Sequence, residues 1–325
     1  MRRIAAWLIA SAALPLCFSS ATQAQIPPSK QITIVVPFAA GGPSDAMARL
    51  IAQGLGEVLG SRVLVENVPG AGGTLGSARV SKAEPDGTTL VFGNIGTHAA
   101  NVGLYKSLPY NPETDFEPVA LVASVPFVLS VKKALPASDF AEFRKLASSG
   151  DLNFGSAGIG SASHLACLLL NARLGGKSKH IPYRGVAPAM NDLVAGQIDF
   201  MCDQTVTMIP QIQSGTIKPL AVMSAQRISQ LPQLPTLAEA GLRGVEVEAW
   251  NAIFAPKGTP PEVTRKLSEL IGAALKVPAI RTRLAELGAV IPENEAASPE
   301  ALRRHVAVEV RKWVPIIEEA GASAD

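Results

Sequence analysis

A short stretch near the middle of the chain carries the side chains of nucleophilic catalysis: Ser156, Ser161, Ser163, His164 and Cys167. A serine or cysteine nucleophile needs a histidine base within hydrogen-bond reach and a third group that orients this base. The stretch has no Gly-x-Ser-x-Gly elbow, and adjacent residues such as Ser163 and His164 diverge on a helix. The sequence also shows no obvious acid that could act with Cys167. A hydrolase is therefore kept only as the alternative interpretation.

Three glycine-rich loops could instead bind an anion through main-chain atoms: residues 41–45, 70–73 and 155–161. Glycine lets the backbone approach a ligand closely, and the free amides of a helix N-terminus attract a carboxylate or phosphate without a charged side chain. Tight turns by themselves would also use glycine. Because three such loops occur in two halves of the chain, we predict a binding cleft.

Nucleotide binding is disfavoured by the residues that would contact the phosphates in the loop at 70–77. Gly76 stands where a Walker loop has its lysine. A dinucleotide fingerprint needs glycine where Leu75 stands, and an acid after the next strand, where this chain has Gly93 and Asn94.

Polar residues precede three of the predicted helical stretches. Asp45, Ser161 and Asp203 are all of types that favour helix N-caps, and we predict that role for each. A cap at the mouth of a cleft can also face a ligand. His164 lies in the first turn after Ser161, where it is either a donor to a carboxylate or a packed helix residue.

Short apolar strands alternate with helical stretches along most of the chain. The predicted strands are residues 32–36, 62–66, 88–92, 152–154, 179–183 and 198–201. This alternation predicts an open, mostly parallel α/β sheet. Ligands of such sheets bind beyond the carboxyl ends of the strands, which is where the glycine-rich loops lie.

The length of the chain predicts two domains, because about 300 residues exceed what one hydrophobic core usually holds. The first domain is assigned to residues 25–122 and 249–325, and the second to 123–248. The chain would cross between them near 120–126 and 245–254. Three C-terminal helical stretches would return to the first domain, with start signals at Thr259–Glu262, read as a capping box, and at Ser298–Glu300.

The N-terminus has the three parts of a secretory signal: Arg2 and Arg3, an apolar run over 4–18, and small residues up to Ala24. We predict cleavage after Ala24 and a periplasmic mature protein without membrane insertion, since the run is shorter than a membrane span. A lipid anchor on Cys17 is the competing interpretation. Leu16 disfavours it, because lipoprotein signals need a small residue there.

Charge and cysteine content exclude several classes of protein. Cleavage would remove Arg2 and Arg3 and no acid, which reduces 29 basic and 27 acidic side chains to 27 of each. No basic stripe for nucleic acid is present. Cys167 and Cys202 could form at most one bridge after cleavage, and we expect both to be small buried hydrophobes. Neither lies in a metal-ligand spacing, and no cofactor is expected.

The chain resembles the Bug-type receptors of tripartite tricarboxylate transporters over essentially its whole mature length. No single motif is unique, but their order and spacing are specific. The motifs are Pro37–Asp45, Glu66–Gly73, Pro85–Leu90, Ser161–Ala166, Ile181–Gly185, Gly196–Asp199, Leu234–Gly241 and Ala255–Pro260.

The resemblance implies a two-domain type II periplasmic-binding fold whose cleft holds a dicarboxylate, amino acid or aromatic carboxylate. It further implies a monomeric receptor that delivers this ligand to membrane permease subunits. A secreted hydrolase of small carboxylated substrates remains the alternative, on the basis of the serine, histidine and cysteine residues near the middle of the chain. The ligand contacts carried over by position are Phe38, Ala39, Gly42, Asp45, Ala71, Gly72, Thr97, Ser156, Ser161, His164 and Asp203. Cys167 and Cys202 depart from the residues common in the family, which could alter ligand preference.

Overall fold

A computed structural model describes residues 31–175, 177–293, 297–319 and 322–324 of the protein. The predicted signal segment 1–24, with Cys17 and the cleavage position, lies outside the described residues. Within the described ranges, no helix combines the length and apolar character needed to cross a membrane.

The first part of the chain alternates strands and helices as expected. Its elements are β1 (Thr33–Val36), α1 (Pro43–Leu59), β2 (Leu64–Asn67), α2 (Thr74–Ser81), β3 (Thr89–Asn94), α3 (Asn101–Leu104) and the long strand β4 (Phe116–Lys132). A π-type turn over Gly96–Ala100 leads into α3.

The second part repeats the pattern, and the chain then ends in helices. The elements are α4 (Phe140–Ser149), β5 (Asn153–Ser156), α5 (Ala162–Arg173), β6 (Lys179–Pro182), α6 (Val186–Val194), β7 (Phe200–Gln204), α7 (Thr205–Gln213), β8 (Ile217–Val222), β9 (Glu248–Pro256), α8 (Pro261–Lys276), α9 (Pro278–Glu286) and α10 (Pro299–Glu319).

The strands form one continuous sheet in the order β2-β1-β3-β9-β4-β7-β5-β6, with β8 also paired to β4. The outer pairs β1/β2, β1/β3, β5/β6 and β5/β7 are parallel, as predicted. The pairs made by the central strands β4 and β9 are antiparallel. The chain leaves the β1-β2-β3 side of the sheet along β4 and returns to it along β9, so these two strands run in opposite directions.

β4 changes partner along its length. Its first part, from Phe116 to Pro126, pairs with β9. From Phe127 onward it pairs with β7 and β8 instead. β4 therefore connects the β1-β2-β3 side of the sheet to the β5-β6-β7 side.

Apolar side chains cover both faces of the sheet. Neighbouring residues fall into different clusters: Ile34 and Val128 belong to one, and Val35 and Phe127 to the other. Successive side chains of a strand point to opposite faces, so strands covered on both faces carry nearly continuous apolar runs.

The C-terminal helices pack on the first part of the chain. α8 contacts α1, and α10 contacts α3 and β4. Ser298 accepts a hydrogen bond from the amide of Ala301 at 3.2 Å, as a helix cap does. The capping box predicted at Thr259 is wrong, because its hydroxyl donates to the carbonyl oxygen of Pro256 at 2.8 Å. α8 begins without a side-chain cap.

Candidate functional site

An inner cavity lies where loops from both sides of the sheet meet, beyond the carboxyl ends of β1, β3, β5 and β7. Water-sized molecules can centre in only about 20 Å³ of it, so its walls are in near contact. This is room for about one or two waters. Its lining residues are Phe38, Gly42, Pro43, Ser44, Asn94, Ala157, Ser161, Ala162, Ser163, Val186, Asp203 and Gln204.

A wider outer cavity of about 630 Å³ opens next to the inner one, and the two share Ala157. Its walls also come from both sides of the sheet. The remaining lining residues are Gly70, Ala71, Gly72, Tyr105, Gly158, Ile159, Pro182, Tyr183, Arg184, Pro188 and Ala324. The predicted contacts Ala71 and Gly72 therefore lie at the outer cavity, and Phe38, Gly42, Ser161 and Asp203 at the inner one.

Asp45 stabilises the loop between β1 and α1 through hydrogen bonds. Its carboxylate accepts hydrogen bonds from the Gly41 amide, the Asn67 amide group and the Arg49 guanidinium at 2.9 to 3.0 Å. The predicted N-cap role is wrong: Gly42 occupies the cap, and Asp45 lies within the first turn. Burial opposes ionisation of Asp45, but the hydrogen bonds from Arg49, Gly41 and Asn67 outweigh it and lower its pKa. Asp45 lines neither cavity.

The loop after β2 brings the two walls into contact. Gly72 has a φ of +60°, and a Cβ atom there would lie 1.9 Å from the carbonyl oxygen of Ile159. The hydroxyl of Tyr105 lies 2.9 Å from the carbonyl oxygen of Ala71 and 3.2 Å from that of Ile159. One phenol thus joins loops that follow β2 and β5. A further bridge runs from the Ala39 amide to the carbonyl oxygen of Arg184 at 3.3 Å.

Asn94 lines the inner cavity, whereas the predicted contact Thr97 lies behind it. The side-chain oxygen of Asn94 accepts from the amides of Gly96 and Thr97 at 2.9 and 3.2 Å. The Thr97 hydroxyl is fully buried against the Asn94 amide and the His98 ring. Sequence reasoning missed Asn94 as a cavity residue, although its place at the end of a strand, directly after Gly93, was a usable signal.

Ser161 caps α5 as predicted, because its hydroxyl accepts from the His164 amide at 3.3 Å. Next to it, Ser163 accepts from the Ala157 amide at 3.0 Å and also lines the inner cavity. These bonds shape the loop after β5, so that the first turn of α5 faces the cavity. Ser44, in the first turn of α1, also lines the inner cavity. Neither Ser163 nor Ser44 was predicted as a ligand contact.

The buried His164 and the half-buried His180 lie side by side behind this loop, with ring centroids 4.3 Å apart. Burial, with a smaller contribution from His180, lowers the pKa of His164 to about 3. Burial also lowers the pKa of His180 to about 4. His164 accepts from the Gly160 amide at 3.2 Å and lines neither cavity, which fits the packed-residue interpretation.

Ser156 lies 2.6 Å from Nε2 of His180, a serine–histidine contact that the sequence did not reveal. The serine is fully buried and lines neither cavity. A base with a pKa of about 4 is also poorly matched to activating a hydroxyl at neutral pH. This pair therefore supports the loop rather than the alternative of a hydrolase.

Asp203 ends β7 inside the inner cavity, with only 1% of its surface exposed. The predicted N-cap role is wrong here too: α7 begins at Thr205, and Gln204 holds the cap position. The Thr207 hydroxyl donates to the Asp203 carboxylate. Burial raises the pKa of Asp203 to about 7, against the lowering effects of that hydrogen bond and of one from the Gln204 backbone.

Cys167 and Cys202 are both free and buried, as expected of small hydrophobes. Burial raises the pKa of Cys202, and its contact with Cys167 adds to the effect. Among the described residues, no three His, Cys, Asp or Glu side chains are grouped so as to hold a metal ion.

Comparison with known sequences gives consistent matches over most of the chain. A family model described as "Tripartite tricarboxylate transporter family receptor" matches residues 47–322. The UPF0065 protein in the TAR-I ttuE-ttuC' intergenic region of Agrobacterium vitis is 44% identical over 296 residues. That match covers 90% of this chain and 85% of the relative.

Solved structures match equally well. The periplasmic binding protein BugD has a TM-score of 0.88 and 41% identity, with 91% of this chain and 99% of that chain covered. MatC from Rhodopseudomonas palustris with bound malate has a TM-score of 0.87 and 42% identity, with 89% and 99% covered. These similarities confirm the predicted periplasmic-binding fold.

Proposed function

This chain belongs to the receptor family of tripartite tricarboxylate transporters, and we propose that it captures a small carboxylate in the periplasm and delivers it to a membrane permease. The observation that carries the proposal is the inner cavity, which is lined by loops from both sides of the sheet. MatC, at 42% identity, holds malate. Small dicarboxylates are accordingly the first class to test.

Main-chain amides and small polar groups are proposed to hold the ligand. The first turns of α1 and α5 both face the inner cavity, and helix N-termini attract anions. No lysine or arginine is among the lining residues. Phe38, Gly42, Ser161 and Asp203 are proposed as inner contacts and Ala71 and Gly72 as outer ones, while Ala39, Asp45, Thr97, Ser156 and His164 shape the loops.

Binding is proposed to close two bodies, residues 25–122 with 249–325 and residues 123–248. The change of partner within β4, between Pro126 and Phe127, supports a boundary in this region. The narrowness of the inner cavity supports a closed arrangement that must open to admit a ligand. A ligand that contacts both bodies has a higher affinity for the closed state and so shifts the equilibrium towards it.

A cleaved signal, export to the periplasm and a monomeric, non-enzymatic receptor complete the proposal. Export is tested by the intact mass of protein recovered from the periplasm, which should begin at Gln25. A retained segment 1–24, or a diacylglyceryl mass on Cys17, would contradict it.

The receptor function is tested by titrating purified protein with malate, succinate, adipate, aspartate and an aromatic carboxylate, followed by Trp fluorescence and calorimetry. Native mass spectrometry of fresh protein should show a co-purifying acid. We expect saturable binding of at least one acid. Parallel NMR of the same mixtures should show no consumption; steady product release that stops on Ser156→Ala would favour the hydrolase instead.

A further inference from the structure

Asp203 is the one ionisable side chain among the described residues that line the inner cavity. The other lining side chains are apolar, small or neutral and polar. Its carboxyl group is almost wholly shielded from solvent, at 1% exposure. If the proposed function holds, a ligand carboxylate enters this cavity and meets the carboxyl group of Asp203, with no lysine or arginine lining the wall.

Two ionised carboxylates in a closed cavity repel each other strongly, because the surroundings screen charge poorly. The Thr207 hydroxyl and the backbone amide of Gln204 each donate a hydrogen bond to Asp203. These two neutral donors are too little to compensate a second buried negative charge. A single proton shared by the pair removes the repulsion, and the resulting acid then donates a hydrogen bond to the ligand.

We propose that the receptor binds its carboxylate together with one proton, which Asp203 carries, so that a neutral carboxyl group donates a hydrogen bond to the bound anion. In the closed arrangement burial already opposes ionisation of Asp203 and raises its pKa to about 7. The ligand's charge raises the value further.

The other titratable groups around Asp203 keep their charge between about pH 6 and 9. On its own strand, burial raises the pKa of Cys202 and keeps it a thiol. Burial lowers the pKa of His164 on α5 to about 3, and of His180 behind it to about 4. On β4, the residue opposite is the apolar Val128.

More distant groups around β7 are engaged in pairs. Asp192 on α6 accepts from the Tyr183 hydroxyl at 2.6 Å. Asp199, at the other end of β7, lies 2.7 Å from Lys132. Asp45 on α1 is paired with Arg49, and its pKa is lowered. Asp203 is thus the group through which pH would act on binding.

The test measures affinity for malate, succinate or adipate, whichever binds tightest. It covers about pH 6.5 to 9, where both carboxyl groups of each acid are ionised. Affinity should be flat below the pKa that Asp203 has in the free receptor; this pKa is at most about 7, because opening exposes the carboxyl group and reduces the effect of burial. Above this pKa, affinity should fall about tenfold per pH unit. Calorimetry in phosphate and in Tris, whose ionisation enthalpies differ, measures the protons taken up when the ligand binds. This number should rise with pH towards one proton per ligand.

Two variants separate the role of Asp203 from general effects of pH. Asp203→Asn is neutral at every pH and keeps a donor, so it should bind with no dependence on pH and no proton uptake. Thr207→Val removes the hydroxyl that donates to Asp203. It should move the pH at which affinity begins to fall upward, because the lowering effect of that hydrogen bond is lost. Circular dichroism and thermal melts check that both variants are folded.

Wild-type affinity that is independent of pH, without proton uptake, would overturn this inference and leave the proposed function standing. A folded Asp203→Asn protein that binds no acid would also overturn it, since the ionised carboxylate would then be what the ligand needs. The inference would also be overturned if affinity in Asp203→Asn fell with pH as steeply as in the wild type. Failure of the wild type to bind any of the acids at any pH would count against the proposed function, and this inference would fall with it.

Discussion

At the scale of single residues, the site depends on positions where a side chain is either absent or small. Gly72 and Ile159 face each other across the boundary between the loops, and there is no room for a Cβ atom between them. Ser161 is small enough to cap α5 while it also lines the inner cavity. Both positions can be tested with matched controls elsewhere in the chain.

Gly72→Ala should abolish carboxylate binding, because the added methyl group collides with the Ile159 carbonyl oxygen when the walls meet. Gly60→Ala is the control: Gly60 has a similar φ of +66°, but nothing lies within 4 Å of its added Cβ. Both variants carry backbone strain of about 1 kcal/mol, and only Gly72→Ala should lose affinity in calorimetry. Equal affinities would place the binding site elsewhere.

Ser161→Ala should lower the free energy of unfolding by about 1 kcal/mol through the lost cap, and should also weaken ligand binding. Ser298→Ala removes the comparable cap of α10, which lies outside both cavities. We expect the same loss of stability in urea denaturation, with affinity unchanged. If Ser161→Ala bound as tightly as Ser298→Ala, the serine would be a cap and nothing more.

At the scale of elements, two buried histidines in their neutral forms stabilise the loops after β3 and β5. His98 is stacked on Phe254 with ring centroids 3.9 Å apart, and burial lowers its pKa to about 3. Burial likewise lowers the pKa of His164 to about 3. Unfolding frees both rings to bind protons near pH 6.5. Stability is therefore highest above that pH and is lost as pH falls towards the folded values.

The free energy of unfolding should consequently fall between pH 6 and 5, by roughly 2 kcal/mol. His98 and His164 each add about one proton on unfolding, and the partly exposed His180 adds less. Asp203 has the opposite sign, because burial raises its folded pKa to about 7 and unfolding releases its proton. Urea denaturation of the wild type at both pH values measures the net change.

His98→Gln should reduce this dependence on pH by about one proton, because the uncharged amide has no titration to lose. The variant should be less stable at pH 7, but this does not affect the slope of its unfolding free energy against pH. Equal slopes in the wild type and in this variant would show that His98 titrates normally in the folded protein.

At the scale of the whole molecule, a few hydrogen bonds among the described residues cross the proposed boundary between the two bodies. Tyr105 lies within hydrogen-bond distance of carbonyl oxygens in the loops after β2 and β5. Asn251 on β9 donates to the Gln204 side chain at 3.1 Å. Because such contacts are weak, a bound ligand can shift the proposed equilibrium between the open and closed states.

Tyr105→Phe should weaken binding about fivefold, since one hydroxyl bond of about 1 kcal/mol is lost from the closed state only. Tyr110→Phe is the control: its hydroxyl donates at 2.7 Å to Thr97, which lies on the same side of the boundary. It should cost stability but leave affinity close to that of the wild type.

Small-angle scattering provides the second measurement. The radius of gyration of the wild type should fall on addition of a binding acid, and Tyr105→Phe should need more acid for the same change. A radius that stays constant at saturation in an initially open receptor would contradict closure of two bodies.

Much of the fold and part of the site could be predicted from the sequence because the signals are local. Apolar runs and glycine-rich turns predicted the outer parallel strands, and the N-cap of α5 at Ser161 was readable from its residue type. The ordered motifs indicated the family. Strand and helix periods and turn chemistry act over a few residues, so a single chain can reveal them.

Only the tertiary structure decided which side chains meet. In the structure Asn94 lines the inner cavity, Asp45 is hydrogen-bonded to Asn67 outside it, and Ser156 contacts His180. The fold also sets the Tyr105 hydroxyl 3.2 Å from the Ile159 carbonyl oxygen, across 54 positions of sequence. Contacts and burial of this kind depend on how distant segments approach one another, and no short-range pattern encodes that approach. The charge state of Asp203 follows from the same cause, because burial by residues from several elements, rather than its neighbours in sequence, sets its pKa.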